Sequence, residues 1–345
     1  MKKYFQHAGS DLPASIVVLL VALPLCLGIA LGSGAPLFSG IIAGIVGGIV
    51  IGFLSGSHLS VSGPAAGLTV IVATAILKLQ VYEAFLLAIV IAGFIQLALG
   101  FLKAGVIGDY VPNSVIKGML AAIGLILILK QFPHLVGYDV DFVGNETFSQ
   151  GDQKNTFSAM WHALDFLTPS ALIIGSISLL ILAVWERKFI KSNKIVHLIP
   201  GPLVVVIAGI LINGYFLTSQ PAYALEAKHL VSLPVASDIS SFLSFFTLPD
   251  FKFLNNPDVW ITAFTLAIVA SLETLLGIEA VDKLDPLKRV TPSNRELKAQ
   301  GIGNIVSGLI GGLPLTSVVV RSSANVLAGG KTKVSAIAHG LLLLV

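Results

Sequence analysis

Two stretches of this sequence decide the fold. The first reads Gly56-Ser57-His58-Leu59-Ser60-Val61-Ser62-Gly63-Pro64-Ala65-Ala66-Gly67 and opens an apolar run that ends near Lys78. Residues 58–62 alternate as in a strand, and Gly63-Pro64 is typical of a helix start because proline is favoured in the first turn. The helix that follows is too short to cross a bilayer of about 30 Å by itself. The sequence therefore predicts an extended piece followed by a half helix.

The second stretch, Gly311-Gly312-Leu313-Pro314-Leu315-Thr316-Ser317, repeats this pattern and is followed by a short helix from about Val318 to Ala328. Extended backbone inside a membrane is tolerated only where protein or a water-filled cavity satisfies its polar groups. Two short, Gly/Pro-interrupted spans in corresponding halves of a chain are typical of a transporter binding site. Half helices that point their N-termini at one place offer free N–H groups and partial positive charge, so the predicted guest is an anion.

The composition places the chain in a membrane. It has 345 residues, of which 55% are hydrophobic and 11% charged, whereas a soluble domain carries about 25% charged residues. These values exclude an ordinary soluble enzyme and a disordered chain, and one cysteine excludes a disulfide framework. A net charge of +3 gives no support for a nucleic-acid partner. We find no HExxH, paired CxxC or Walker motif, so we predict no enzyme, no catalytic residue and no cofactor beyond a coupling ion.

Eleven apolar segments can be recognised along the chain, with approximate limits 13–31, 37–55, 64–79, 84–103, 113–131, 168–185, 195–217, 257–278, 297–312, 315–328 and 334–345. The two interrupted segments, three and ten, lie seven apart, which predicts an all-α polytopic membrane protein built from two inverted repeats of seven. The predicted layout is a cytoplasmic N-terminus at 1–12, a first repeat at 13–217, an external loop at 218–256 and the start of a second repeat at 257–345. Because the last segment stops inside an apolar run, we expect a C-terminally truncated piece with about eleven of fourteen segments.

Loop charges predict the orientation. Lysines and arginines concentrate between segments six and seven and between eight and nine, whereas residues 131–167 are mainly acidic. The positive-inside rule then places the N-terminus in the cytoplasm of a multi-pass protein of the cell membrane. The first apolar run is longer than the core of a signal peptide, so it is predicted to be a retained helix.

Two ionisable residues lie inside predicted spans, where a charge is costly and is a functional candidate. Arg321, one turn into the second half helix, would add a fixed positive charge to the anion site. Glu273 in segment eight is the candidate for the coupling ion, either as a protonated carboxyl or as a Na⁺ ligand together with Thr274 and Thr316. A structural salt bridge between Glu273 and Arg321 is the alternative.

The chain resembles the SulP family of inorganic anion transporters, bacterial relatives of the animal sulfate/anion exchangers. Four segments carry the resemblance: Asp11-Leu12-Pro13-Ala14 with Leu23-Pro24-Leu25-Cys26-Leu27-Gly28-Ile29-Ala30; Gly56 to Pro64; Ser271-Leu272-Glu273-Thr274-Leu275-Leu276; and Asn294-Arg295-Glu296-Leu297-Lys298-Ala299-Gln300-Gly301-Ile302-Gly303-Asn304-Ile305 with Gly311-Gly312-Leu313-Pro314 and Arg321-Ser322. Together they cover essentially the whole chain.

The resemblance implies fourteen segments in two inverted repeats. It also implies a core domain of segments one to four and eight to eleven that moves, elevator fashion, against a gate domain of segments five to seven and twelve to fourteen. A homodimer in the lipid bilayer and a cytoplasmic STAS domain after the last segment are further implications. On this resemblance, we expect neither the STAS domain nor segments twelve to fourteen within these 345 residues.

The residues that the resemblance assigns to the anion lie on helix one and on the two half helices: Leu25, Ile29, Ala65, Ala66, Val318, Val320 and Arg321. This chain has Leu25 where a glutamine is common and Val320 where a hydroxyl is common, which leaves more of the binding to backbone N–H groups and Arg321. Glu273 matches the acidic position that serves Na⁺ or proton coupling in the family. Gly277 replaces a hydroxyl found in some Na⁺-coupled bicarbonate carriers, which favours H⁺.

The leading hypothesis is a secondary active transporter of sulfate, bicarbonate or a similar small anion, coupled to H⁺ or Na⁺. One alternative is a nucleobase or purine transporter, which shares the inverted-repeat fold. Another is a membrane scaffold that transports nothing. Arg321 and the apolar residues 318–320 favour the anion over the nucleobase, and an intramembrane carboxylate at Glu273 disfavours the scaffold.

Overall fold

The computed structural model describes residues 7–110, 112–139, 155–185, 187, 199–226, 229–230 and 238–344. The N-terminal lysines and the basic segment 188–198, which contribute to the predicted orientation, lie outside this part. The chain divides into two compact units, one formed by residues 1–120 with 234–345 and the other by residues 121–233. Segments one to four and eight to eleven fall in the first unit. The second unit contains segments six and seven and most of segment five.

The first half of the chain forms α1 (Ala8–Gly32), α2 (Leu37–Leu54), α3 (Thr69–Leu79) and α4 (Tyr82–Phe101). A π-helical turn, Gly47–Ile51, lies within α2, and 3₁₀ turns occupy Ala66–Leu68 and Ala104–Tyr110. The helix α5 (Asn113–Leu135) continues into the second unit, where α6 (Thr156–Asp165), α7 (Pro169–Trp185) and α8 (Gly201–Ser219) follow. The acidic stretch 131–167 contains the short helix α6, which begins with a capping box formed by Asn155 and Ser158; residues 140–154 of this stretch lie outside the described part.

The rest of the first unit contains a short helix α9 (Ile239–Leu243), a 3₁₀ turn at Phe251–Asn255, and the helices α10 (Pro257–Leu284), α11 (Ser293–Leu309), α12 (Val319–Leu327) and α13 (Val334–Leu344). Among the described residues six helices are long and apolar enough to cross a membrane, or seven if the bent pair α6–α7 counts as one span. Each of the eleven predicted segments contains a helix. The expectation of a mostly helical polytopic membrane chain is thus confirmed, while the two inverted repeats of seven stay a prediction.

The two interrupted segments meet in a ribbon of two short strands. The strand β1 (Ser62–Pro64) runs antiparallel to β2 (Leu315–Ser317), with Ser62 opposite Ser317 and Pro64 opposite Leu315. The predicted strand at residues 58–62 and the helix start at Gly63-Pro64 are therefore wrong by a few residues. Ala65 is still extended, so the 3₁₀ turn begins only at Ala66. Proline is tolerated here because a strand end in a two-stranded ribbon has no second neighbour that needs its missing N–H.

One face of α11 satisfies this extended backbone. Its buried polar residues Glu296, Gln300, Asn304 and Ser307 recur at helical spacing and form a stripe, which we call the polar stripe. Gln300 Nε2 donates to Ser62 Oγ at 2.7 Å, Asn304 bonds both backbone groups of Leu315, and Ser307 Oγ donates to the Leu313 carbonyl at 2.7 Å. Side chains of α11 thus satisfy the Leu313 carbonyl and both backbone groups of Leu315, as extended backbone inside a membrane requires.

Candidate functional site

The ribbon brings together the starts of two short helices. The chain leaves β1 through Ala65 into the 3₁₀ turn and α3, and it leaves β2 through Val318 into α12. Because β1 and β2 are antiparallel, the two helices depart in opposite directions with their N-termini at the ribbon. The first N–H groups of a helix lack partners within it, so both ends present donors and partial positive charge at this place.

The residues predicted to contact the anion all lie in the first unit, around these helix starts. Leu25 and Ile29 are buried on α1, which packs against α3, α12 and β1. Ala65 is buried at the end of β1. Ala66, Val318 and Val320 are partly exposed where the 3₁₀ turn and α12 begin. The structure therefore groups them, and their contact with an anion remains a prediction.

Arg321 lies between the ribbon and α1. Its side chain is fully buried, and Nη2 donates to Cys26 Sγ at 3.3 Å, the one hydrogen bond of the guanidinium to the described part of the chain. Nε and Nη1 have no hydrogen-bond partner among the described residues. A Cβ placed on Gly63 would lie 2.1 Å from Nη1, so the guanidinium occupies the space that a side chain at position 63 would fill. The positive charge is therefore held against β1 from the α1 side.

The predicted coupling residues lie where α10 passes the ribbon. A Cβ on Gly67 would be 2.9 Å from Glu273 Oε1, which places the carboxylate beside the 3₁₀ turn that precedes α3. Thr274 and Thr316 are fully buried, and neither hydroxyl has a hydrogen-bond partner in the described part of the chain. Carboxylate, hydroxyl and carbonyl oxygens suit a hard cation such as Na⁺. No group of three or more His, Cys, Asp or Glu side chains suited to a metal occurs among the described residues.

At Gly277, α10 comes close to β2. A Cβ at this position would lie 2.5 Å from the Ser317 carbonyl oxygen and 3.1 Å from its hydroxyl. A hydroxyl-bearing side chain has no room here unless the helix and the ribbon separate. The small residue thus lets the backbone carbonyl of Ser317 occupy the space that the side chain would take.

Sequence reasoning missed the polar residues that hold this arrangement. Glu296 is fully buried and accepts from Ser55 Oγ at 2.5 Å, from the Gly56 N–H at 3.3 Å and from Gln300 Nε2 at 3.1 Å. Gln96 and Asn304 are buried and bonded to each other. The signal was available as polar residues at positions i, i+4, i+8 and i+11 in an otherwise apolar chain, which is the pattern of one helix face.

Asp11 is a second anchor that the sequence did not single out for its chemistry. It is fully buried near the start of α1, and its Oδ1 accepts from the Lys331 and Thr332 N–H groups at 2.7 and 3.1 Å. Its Oδ2 accepts from Thr332 Oγ1 at 2.5 Å. These bonds tie the start of α1 to the turn between α12 and α13.

The fold and this site define a helical membrane protein in which two interrupted segments meet at a short ribbon. The chain belongs to the sulfate permease family, whose model matches residues 9–345. It is 27% identical over 339 residues to a putative sulfate transporter, YvdB of Bacillus subtilis, covering 98% of this chain and 59% of that one. It is 26% identical to the bicarbonate transporter BicA of Synechocystis, covering 100% of this chain and 57% of that protein. The resemblance inferred from the motifs is confirmed.

Solved structures show the same fold. The transmembrane domain of a cyanobacterial bicarbonate transporter BicA matches with a TM-score of 0.64 at 24% identity, covering 99% of this chain and 81% of that one. The structure of SLC26A9 matches with a TM-score of 0.61 at 20% identity, covering 99% of this chain and 53% of that one. The chain spans less than three fifths of the length of the two curated relatives above.

Proposed function

We propose that this chain forms the substrate-binding membrane part of a secondary active transporter of small inorganic anions such as sulfate or bicarbonate. The observation that carries the proposal is the convergence of two helix starts on one ribbon, with the buried Arg321 guanidinium behind it. Relatives named as sulfate and bicarbonate transporters support the same class of substrate.

The chemistry of the helix starts suits an oxyanion. Several N–H groups at fixed positions match the several acceptor oxygens of a small oxyanion, and each helix end contributes roughly half a positive charge. The apolar side chains of Leu25, Ile29, Val318 and Val320 surround these groups with a medium of low polarity, which strengthens the attraction. Arg321 acts on the anion through its electrostatic field and not by direct contact, since Gly63 lies between its guanidinium and the proposed anion position.

Coupling follows from the position of Glu273 beside the 3₁₀ turn before α3. An ionised carboxylate close to this helix start repels a second negative charge and so weakens the binding of an anion there. Protonation of Glu273, or Na⁺ held with Thr274 and Thr316, removes this repulsion, so anion and cation bind together. The tight packing of Gly277 against Ser317 leaves no side-chain hydroxyl at that position, which favours H⁺ over Na⁺.

The remaining steps of transport rest on the family resemblance. The first unit would carry the anion as the moving core domain, and the second would belong to the stationary gate domain, in an elevator-type motion within a homodimer. The N-terminus would face the cytoplasm of the cell membrane. Two inverted repeats of seven segments would relate the two interrupted spans.

The anion site is tested with the full-length protein purified in detergent. Arg321→Ala is expected to weaken binding of sulfate or bicarbonate, because it removes the fixed positive charge whose field acts on the bound anion. The exposed Lys252 offers a control, since Lys252→Ala removes a charge of the same sign from a solvent-exposed side chain that lies 3.9 Å from Asp250. Calorimetry or competition with both anions measures the effect. An unchanged affinity in Arg321→Ala would show that the helix starts suffice.

Coupling is tested by uptake of labelled sulfate, bicarbonate and dicarboxylates into proteoliposomes under a pH gradient and, separately, a Na⁺ gradient. Glu273→Gln nearly keeps the shape but can neither ionise nor release a proton, so we expect it to lose accumulation while retaining anion exchange. Glu279→Gln is the control, because Glu279 lies on the same helix and pairs with Lys283 at 3.2 Å. Accumulation by Glu273→Gln equal to wild type under both gradients would make the carboxylate structural.

A further inference from the structure

Gln96 is a fully buried amide on α4, a helix whose other buried residues are apolar or glycine. Its Nε2 donates to Ser271 Oγ at 3.3 Å, and its Oε1 accepts from Asn304 Nδ2 at 2.6 Å. Burying an amide is costly unless both of its groups are hydrogen-bonded. Here both groups are used, and they connect two different helices.

The bond to Asn304 leads to the ribbon. Asn304 Oδ1 accepts from the Leu315 N–H at 2.7 Å, while its Nδ2 donates to the Leu315 carbonyl at 3.2 Å. One side chain thus serves both backbone groups of Leu315, as a neighbouring strand would. Leu315 opens β2 and is followed directly by Thr316, the predicted cation ligand. Asn304 therefore fixes the position of that part of β2.

The bond to Ser271 leads to the coupling residues. Ser271 lies on α10, two residues before Glu273 and three before Thr274. The hydrogen bonds Ser271–Gln96–Asn304–Leu315 form a continuous chain from α10 to β2, which we call the amide link. It joins the helix that carries Glu273 and Thr274 to the strand that carries Thr316, by way of Gln96 and Asn304, two residues that belong to neither element.

We infer that Gln96 is a positioning residue, which holds Glu273 and Thr274 at a fixed distance from Thr316 and thereby sets the affinity for the coupling ion. The inference deepens the proposed function and rests on it for the role of these three residues. A leucine at position 96 would fill similar space. Ser271 would then lose its hydrogen bond to Gln96, and Asn304 would keep only its hydrogen bonds to the backbone of Leu315. The helix could then shift relative to the strand, and cation ligands must be held within about 0.5 Å to work.

Transport by the full-length protein in proteoliposomes tests the inference. We expect Gln96→Leu and Ser271→Ala to raise the H⁺ or Na⁺ concentration for half-maximal uptake roughly three- to tenfold, the range that the loss of one buried hydrogen bond predicts. The KM for the anion at saturating cation should stay unchanged. Because Ser271 acts through Gln96, the double variant should be no worse than Gln96→Leu alone.

Ser307→Ala is the matched control. Ser307 is as deeply buried on the same face of α11, and its hydroxyl donates to the Leu313 carbonyl at 2.7 Å; among the described residues no side-chain hydrogen bond joins it to α10. Ser307→Ala should lower thermal stability as the other variants do, but the cation concentration for half-maximal uptake should stay unchanged. An unchanged cation dependence in folded Gln96→Leu, or an equal shift in Ser307→Ala, would overturn the inference.

Hydrogen exchange of the purified protein separates this inference from the proposed function, because it needs no transport. Ser271 reaches β2 by hydrogen bonds only through Gln96 in the described part of the chain. We therefore expect Ser271→Ala and Gln96→Leu both to speed amide exchange in the peptide covering residues 315–318. If wild-type uptake responds to neither cation, the proposed coupling fails, and exchange alone decides the positioning role. Unchanged exchange in both variants would then refute it.

Discussion

Replacing Gly63 by alanine tests the position of Arg321 behind the ribbon. Gly63 has an ordinary backbone conformation, so alanine introduces no backbone strain. Its Cβ, however, would lie 2.1 Å from Arg321 Nη1 and 3.0 Å from Cζ, where ordinary contact begins at 3.4 Å. The guanidinium is fully buried and must displace its neighbours to move. Overpacking of this kind costs about 1–3 kcal/mol, and the displaced charge should also weaken anion binding.

A double-mutant cycle shows whether the cost arises from the guanidinium. In an Arg321→Ala background the added methyl group has free space, so Gly63→Ala should cost less than about 0.5 kcal/mol there. Gly118→Ala provides the control, because nothing lies within 4 Å of a Cβ at that position. Unfolding midpoints and anion affinity of the purified full-length protein are the measurements. Equal costs of Gly63→Ala in both backgrounds would refute the proposed contact between Gly63 and Arg321.

Two further predictions concern α10 and the residue that directly follows it. Gly277→Ala would place a Cβ 2.5 Å from the Ser317 carbonyl oxygen, so we expect a loss of about 1–3 kcal/mol in unfolding experiments; a variant as stable as wild type would contradict the close approach. Burial would raise the pKa of Asp285, but hydrogen bonds from Arg289 and the Leu287 N–H outweigh it and hold that pKa below its usual range. A lowered carboxyl pKa stabilises the fold at pH above about 4, and this contribution is lost as the pH falls through the lowered value. Asp285→Asn should therefore lower the unfolding midpoint at pH 7 and converge with wild type in acid, and a constant difference across pH would contradict this.

The sequence predicted the interrupted segments because their signals are local. A run of glycine, proline and small polar residues cannot form a full membrane helix, wherever the rest of the chain lies. The register of β1 was missed, since Pro64 fits both the first turn of a helix and the end of a strand. Only the pairing with Leu315, far away in the chain, selects the strand.

The side-chain partners of the ribbon could not be predicted from local signals. Asn304 and Gln96 are 208 residues apart. The sequence around each of them indicates only a single polar residue in a helix, without its partner. Arg321 was recognised as an intramembrane charge, but its contact with Cys26 depends on how α12 packs against α1. The sequence therefore indicates which residues carry the chemistry, and the tertiary fold decides what each of them touches.

The pairing of β1 with β2 has a consequence for biogenesis. Ser60 and Ser317, whose hydroxyls lie 2.7 Å apart, are separated by 257 residues of chain. While the ribosome synthesises the intervening segments, β1 lacks the strand with which its backbone pairs. The predicted anion site can therefore form only after residue 317 has been synthesised. Until then the nascent chain exposes polar backbone inside the membrane, the kind of feature by which insertion and quality-control machinery can tell an unfinished chain from a finished one.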